Sequence, residues 1–218
     1  MVRAMRTITA IEAAKRRKSR VNIFLDGAFA FSLGAEVAEE QGLHLGQALP
    51  EPLIEELGRL DRCQRCLNAA LRLLSYRPRS EVEIRMRLKL KRGFDDETID
   101  SVILQLRARQ LIDDAAFARF WRENRESFSP RSERMLKLEL RRKGIAPEVI
   151  DQVLEGIDED EDAYRAAQKK ARSLSREDHD AFRGKLGEFL RRRGFSYEVA
   201  SRAIERIWRD ATEQPSLP

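Results

Sequence analysis

The stretch Leu90-Lys91-Arg92-Gly93-Phe94-Asp95-Asp96-Glu97 decides the fold, because it occurs in three versions. Its counterparts are Arg141-Arg142-Lys143-Gly144-Ile145-Ala146-Pro147-Glu148 and Arg192-Arg193-Gly194-Phe195-Ser196-Tyr197-Glu198. The glycines lie 51 and then 50 residues apart, a period that marks a tandem structural repeat. Downstream of each glycine the apolar residues keep the same offsets. They are Ile99, Val102, Ile103 and Leu106, then Ile150, Val153, Leu154 and Ile157, then Ala200, Ala203, Ile204 and Ile207. Each set has i, i+3, i+4, i+7 spacing, so each predicts an amphipathic helix with one buried face.

Working outward, each glycine closes a basic helix by taking the left-handed conformation, and Phe94, Ile145 or Phe195 then folds back on that helix. Asp95 and Ser196 suit the N-cap of the next helix; Ala146 is a poor cap, although Pro147 fits a first turn. Upstream, Tyr76-Arg77-Pro78-Arg79-Ser80-Glu81 matches Phe128-Ser129-Pro130-Arg131-Ser132-Glu133. The proline interrupts one helix and the serine caps the next, with Ser80-Glu81-Val82-Glu83 reading as a capping box. The third copy has Ser173-Leu174-Ser175-Arg176-Glu177-Asp178 in that place. Three helices per repeat follow: about 63–76, 80–92 and 95–110; 114–127, 132–143 and 147–157; 160–173, 178–193 and 197–210. Acidic junctions at Asp113-Asp114 and Asp158-Glu159-Asp160-Glu161-Asp162 favour the N-termini of the helices after them. Between its serine and its glycine the first repeat has one residue more than the second, which leaves the facing of its middle helix open.

The first sixty residues differ. Arg6-Thr7-Ile8-Thr9-Ala10-Ile11-Glu12 alternates like a strand, Arg20-Val21-Asn22-Ile23-Phe24-Leu25 is a second, and Asp26-Gly27 turns the chain into Phe29-Ala30-Phe31-Ser32-Leu33. Helices of about 34–41 and 50–64 follow, and so small a sheet needs them to pack against. Lys15-Arg16-Arg17-Lys18 reads as a basic loop between strands. The organisation predicted is an N-terminal α+β cap with a β-hairpin (1–62), repeats at 63–112, 113–158 and 159–210, and a flexible tail at 211–218. The fold class is mostly α: three tandem three-helix, helix-turn-helix-like repeats in a curved elongated array.

Bulk composition agrees. Of 218 residues, 36% are charged and 42% hydrophobic, which suits several narrow cores better than one deep one. No apolar run is long enough for a signal peptide or a membrane span, so a cytoplasmic location is expected. Cys63-Gln64-Arg65-Cys66 stands alone; zinc needs two more ligands, and a redox pair needs a βαβ context that is absent. A structural or incidental role is expected for both cysteines. Phe117, Phe120, Trp121, Tyr164 and Trp208 sit at helical spacing and are read as core rather than as a stacking platform. No phosphate-binding glycine loop or catalytic carboxylate pair stands out, so neither an enzymatic activity nor a cofactor nor a metal is expected.

The formal net charge is only +5, but the cations cluster on the middle helices. The candidate partner- or nucleic-acid-binding set is Arg85, Arg87, Lys89, Lys91 and Arg92 in the first repeat, with no acid among residues 85–92. Arg134, Lys137, Arg141, Arg142 and Lys143 belong to it in the second, and Lys185, Arg191, Arg192 and Arg193 in the third, where Arg183 lies nearby. Stacked repeats would align them into a stripe able to meet acidic protein surfaces or phosphates. Against this stands the ordinary tendency of cations to collect near helix C-termini on a solvated face.

These blocks, in this order, resemble the RecX family over nearly the whole chain. The resemblance rests on Tyr76–Glu81, Arg92-Gly93-Phe94-Asp95, Leu111-Ile112-Asp113-Asp114-Ala115-Ala116-Phe117-Ala118 and Leu138-Glu139-Leu140-Arg141-Arg142-Lys143-Gly144-Ile145. The β-rich start through Arg20–Gly27 is similar to an N-terminal extension found in some members. The resemblance implies a non-catalytic regulator that binds the RecA filament on single-stranded DNA and restrains ATP hydrolysis and strand exchange in recombination and DNA repair. A monomer is expected. Two other readings stay open on the residues alone: a tandem helix-turn-helix protein that binds single- or double-stranded DNA directly, and a helical-repeat scaffold for another partner.

Overall fold

A computed structural model describes residues 5–14, 19–174 and 178–213. The basic run 15–18, part of the third copy's break (175–177) and the end of the tail lie outside the described residues. The chain divides into two compact units, Met1–Arg77 with Ile84–Ile112, and Pro78–Glu83 with Asp113–Pro218.

In the first unit, strands β1 (Met5–Ala13), β2 (Arg20–Leu25), β3 (Ala28–Gly34) and β4 (Ala48–Pro50) form an antiparallel sheet of order β3-β2-β1-β4. The Asp26-Gly27 turn has positive φ at both residues, as a tight hairpin of this hand requires. Asp26 also accepts the backbone N–H of Thr7 (3.0 Å) and Arg6 Nε (3.1 Å), which hold its carboxyl below the usual aspartate value. β4 escapes sequence reading because three residues are too few to show alternation. Helix α1 (Ala35–Glu40) and the start of α2 (Glu51–Leu74) cover the sheet; Ile8, Ile23, Leu25, Leu33, Leu49 and Leu57 are buried beneath them.

Helix α2 corrects an expectation. Two helices, 50–64 and 63–76, are one continuous helix of 24 residues. Its prolines lie at Pro50 and Pro52, at the very start, and Gly58 alone does not stop a helix. α2 thereby serves two cores, burying Leu57 under the sheet and Cys66, Leu67 and Ala70 against α3 (Glu81–Arg92) and α4 (Asp96–Ala108). Asp61 locks α2 to the sheet by pairing both carboxylate oxygens with Arg20 (3.0 and 3.1 Å) and accepting the N–H of Gly34 (2.8 Å).

The second unit holds α5 (Asp114–Phe128), α6 (Glu133–Arg142) and α7 (Pro147–Leu154), then α8 (Glu159–Ala171), α9 (His179–Arg192) and α10 (Tyr197–Glu213). Each triplet encloses its own core. The periodic apolar sets are buried as predicted, except Ile157, which is only partly buried. α7 ends three residues early because Glu155 is extended and Gly156 takes a positive φ. The caps follow the sequence: Asp95 accepts from Thr98 N, Ser196 from Val199 N, and Ala146 makes no side-chain cap. Phe117, Phe120 and Trp121 pack in the second-repeat core, and Tyr164 and Trp208 against the third. Among the described residues no helix is long and apolar enough to cross a membrane.

Candidate partner-binding face

The cations sort themselves by what their helices leave for them to do. In α3, Arg85 pairs with Asp100 and Lys89 with Asp96 of α4. In α6, Lys137 bridges Glu133 and Asp151, both at 2.9 Å. Lys185 and Arg191 in α9 are exposed without an ion pair among the described residues, while Arg192 lies 3.7 Å from Glu188.

Two cations of the predicted set belong to the joints between repeats. Inside the second unit, the Pro-Arg-Ser turn of one repeat docks onto the glycine corner of the next. Ser80 Oγ donates to Lys143 O (2.7 Å) while accepting Glu83 N (3.3 Å), and Lys143 Nζ pairs with Glu83. Lys143 also stands 4.7 Å over the Trp121 ring. One repeat later, Ser132 N donates to Arg193 O (3.2 Å), and the Arg193 guanidinium donates to Ser129 Oγ (2.8 Å) and Pro130 O (3.0 Å). Burial, with like charge from Arg131 and Arg125, lowers the Arg193 pKa from its usual value. The acidic junctions take part as well: Asp114 accepts the N–H of Glu81 (3.0 Å) and Glu159 that of Glu133 (2.7 Å). Those carboxylates therefore cap the middle helix of the preceding repeat, a role that the sequence pattern alone does not expose. The same contacts explain why residues 78–83 group with the second unit.

After these are set aside, an exposed set remains on each middle helix. On α6 it is Arg134, Leu138, Arg141 and Arg142, at i, i+4, i+7 and i+8, a single helical face. Leu138 is 40% exposed, although a core-forming leucine would be expected to bury. On α3, Met86 and Leu90 are exposed beside Arg87, Lys91 and Arg92. Sequence reading named the cations but not these apolar neighbours. Their signal was present: they fall off the positions of Ile84 and Leu88, which are buried. Arginine beside exposed aliphatic side chains is the composition of a protein-contacting surface.

Neither cysteine forms a disulfide; Cys66 is buried, and desolvation, followed by the charges of Cys63 and Asp95, pushes its thiol up to about 12. Among the described residues no group of three His, Cys, Asp or Glu could hold a metal.

A small β-sheet unit followed by three-helix repeats, joined serine turn to glycine corner, defines a class of helical-repeat proteins. Family models match the chain in four consecutive pieces: the regulatory protein RecX N-terminal domain over residues 6–49, and the first, second and third RecX three-helix domains over 66–106, 113–154 and 158–204. The chain belongs to the RecX family. It is 32% identical to regulatory protein RecX of Clostridium beijerinckii over 93% of this chain and 96% of that one. It is 31% identical to that of Clostridium perfringens strain 13, covering 93% and 97%. A crystal structure of regulatory protein RecX superposes with a TM-score of 0.67 at 30% identity, covering 94% of this chain and 99% of that one. RecX from Lactobacillus salivarius gives 0.56 at 25% identity over 68% and 97%.

Proposed function

We propose that the chain acts in the cytoplasm as a non-catalytic modulator that binds the RecA filament on single-stranded DNA and restrains its ATP hydrolysis and strand exchange. The observation that carries this reading is the α6 face of Arg134, Leu138, Arg141 and Arg142, exposed cations around an aliphatic side chain that the second unit does not use. Family membership supports the choice of partner. The test is RecA ATPase and filament pull-down against added protein, comparing the native chain with Arg134→Glu/Arg141→Glu/Arg142→Glu. The variant is expected to keep its helicity and lose about tenfold or more in filament affinity, as surface charges facing an oppositely charged partner do when reversed. No inhibition by the native chain would end the proposal; unchanged affinity of the variant would remove α6 from it.

A further inference from the structure

We propose that the first unit carries a nucleic-acid phosphate site in the cavity between α2 and the end of α3. This goes beyond the filament reading and does not depend on it. The cavity measures about 770 Å³, and Arg65 and Arg72 of α2 face Lys91 and Arg92 of α3 across it. Asn68 and Ser19 add hydrogen-bonding groups, and among the described residues no carboxylate lines it. Arg65 lies 3.7 Å from Asp61, but both oxygens of that carboxylate already bind Arg20. Arg72, Lys91 and Arg92 have no ion pair among the described residues, and all four cations are exposed.

The macrodipole accounts for a cation in the last turn of each helix. It does not account for Arg65 in the middle of α2, nor for two helices turning their cations toward one space. The comparable corner of the second repeat shows what neutral packing looks like: Lys143 there is covered by Trp121 and paired with Glu83. In the first repeat, Ala69 and Asn68 leave the space open, with Phe94 at one side. Three guanidiniums and an ammonium, with only the Asp61 carboxylate that Arg65 shares with Arg20 near them among the described residues, call for several closely spaced anions. Successive phosphates of a single strand supply these, and planar guanidinium forks match phosphate oxygens two at a time. An acidic protein segment would want an apolar anchor such as Leu138 gives α6; the cavity wall offers only Ala69 and Phe94.

The test is fluorescence anisotropy of the full chain with a labelled oligothymidylate, without recombinase, over a salt series. Arg65→Gln/Arg72→Gln/Lys91→Gln/Arg92→Gln is expected to bind about tenfold or more weakly and to flatten the log affinity–log salt slope by about 3, each lost contact removing roughly 0.7. Arg109→Gln/Arg119→Gln/Lys169→Gln/Arg209→Gln removes the same charge elsewhere and is expected to lose far less. If the first variant melts early by circular dichroism, Arg65→Gln/Arg92→Gln, one on each wall, is read in its place. The assignment is overturned if the native chain does not bind, if both charge-matched variants lose equally, or if polyglutamate displaces the strand at equal charge concentration. Because RecA is absent, none of these outcomes bears on the filament proposal.

Discussion

The corners at Gly93 and Gly144 read alike in sequence and do different work. Both glycines have positive φ, +69° and +79°, and both end a basic helix. At Gly93, a Cβ would meet nothing within 4 Å. At Gly144 it would lie 2.2 Å from Val82 Cγ2, and at Gly194 2.2 Å from Met135 Cγ and 2.5 Å from Ser132 Oγ. The first glycine serves only the backbone. The other two also let the preceding repeat's serine turn approach, so they are joints. Helix endings differ accordingly. Ile145 N and Phe195 N each donate five residues back, to Leu140 O and Leu190 O, whereas Phe94 N reaches six back to Leu88 O at 3.4 Å. The extra residue in the first repeat falls at an ending where, among the described residues, nothing stands within 4 Å of where a glycine Cβ would lie.

The largest expected effect is on the glycines themselves. Gly144→Ala combines the left-handed penalty of about 1–2 kcal/mol with overpacking against Val82 of about 1–3 kcal/mol, so a loss near 3 kcal/mol is expected in urea unfolding. Gly93→Ala should lose only about 1–2 kcal/mol, the first of these alone. Equal losses would erase the distinction between a turn and a joint.

Next come the charges of the joint. Lys143→Gln removes the cation that pairs with Glu83, whose side chain is only 12% exposed, and should cost about 1–3 kcal/mol. Arg142→Gln, one residue away but exposed, should stay within about 0.5 kcal/mol. A similar loss for both would return Lys143 to the solvated face.

The serine caps sharpen the same contrast. Ser80→Ala removes both the α3 cap and the bond to Lys143 O and should cost about 1–2 kcal/mol, more than Asp95→Ala, which caps α4 alone. Chemical denaturation of both variants decides it, and a smaller loss at Ser80 would count against the joint.

The smallest effect is a pH dependence. Bonds from Thr98, backbone first and hydroxyl second, hold the Asp95 carboxyl below its usual value. Its folded pKa is therefore lower than its unfolded one. The stability it contributes is complete above the unfolded value, near 3.8, and is lost as pH falls through the folded value. Asp95→Asn keeps a capping oxygen but cannot titrate, so its melting temperature should fall less than the native chain's in that acid range. Asp162 runs the other way: burial, ahead of its bond to Arg165, raises its pKa, so ionising it costs stability at neutral pH, a cost relieved as pH falls through its folded value.

The repeat, its helices and its caps were legible in the residues because they are local: a glycine needing positive φ, a serine or aspartate meeting orphan N–H groups, and apolar side chains at helical spacing all act within a few residues. β4 and the continuity of α2 were harder to read. A three-residue strand exists only through its partner, and a helix is stopped by breakers rather than by a change of core. The candidate face was half legible. The cations could be named, but Lys143 and Arg193 look no different in sequence from Arg141 and Arg142.

By itself the sequence determined that this chain is three helical units behind a small β cap, because periodic burial and capping are written in short-range order. Only the tertiary structure decided which cations are structural and which are left exposed. That distinction depends on pairings such as Lys143 with Glu83 and Arg193 with Pro130, some sixty residues apart, and no local pattern encodes where such partners meet.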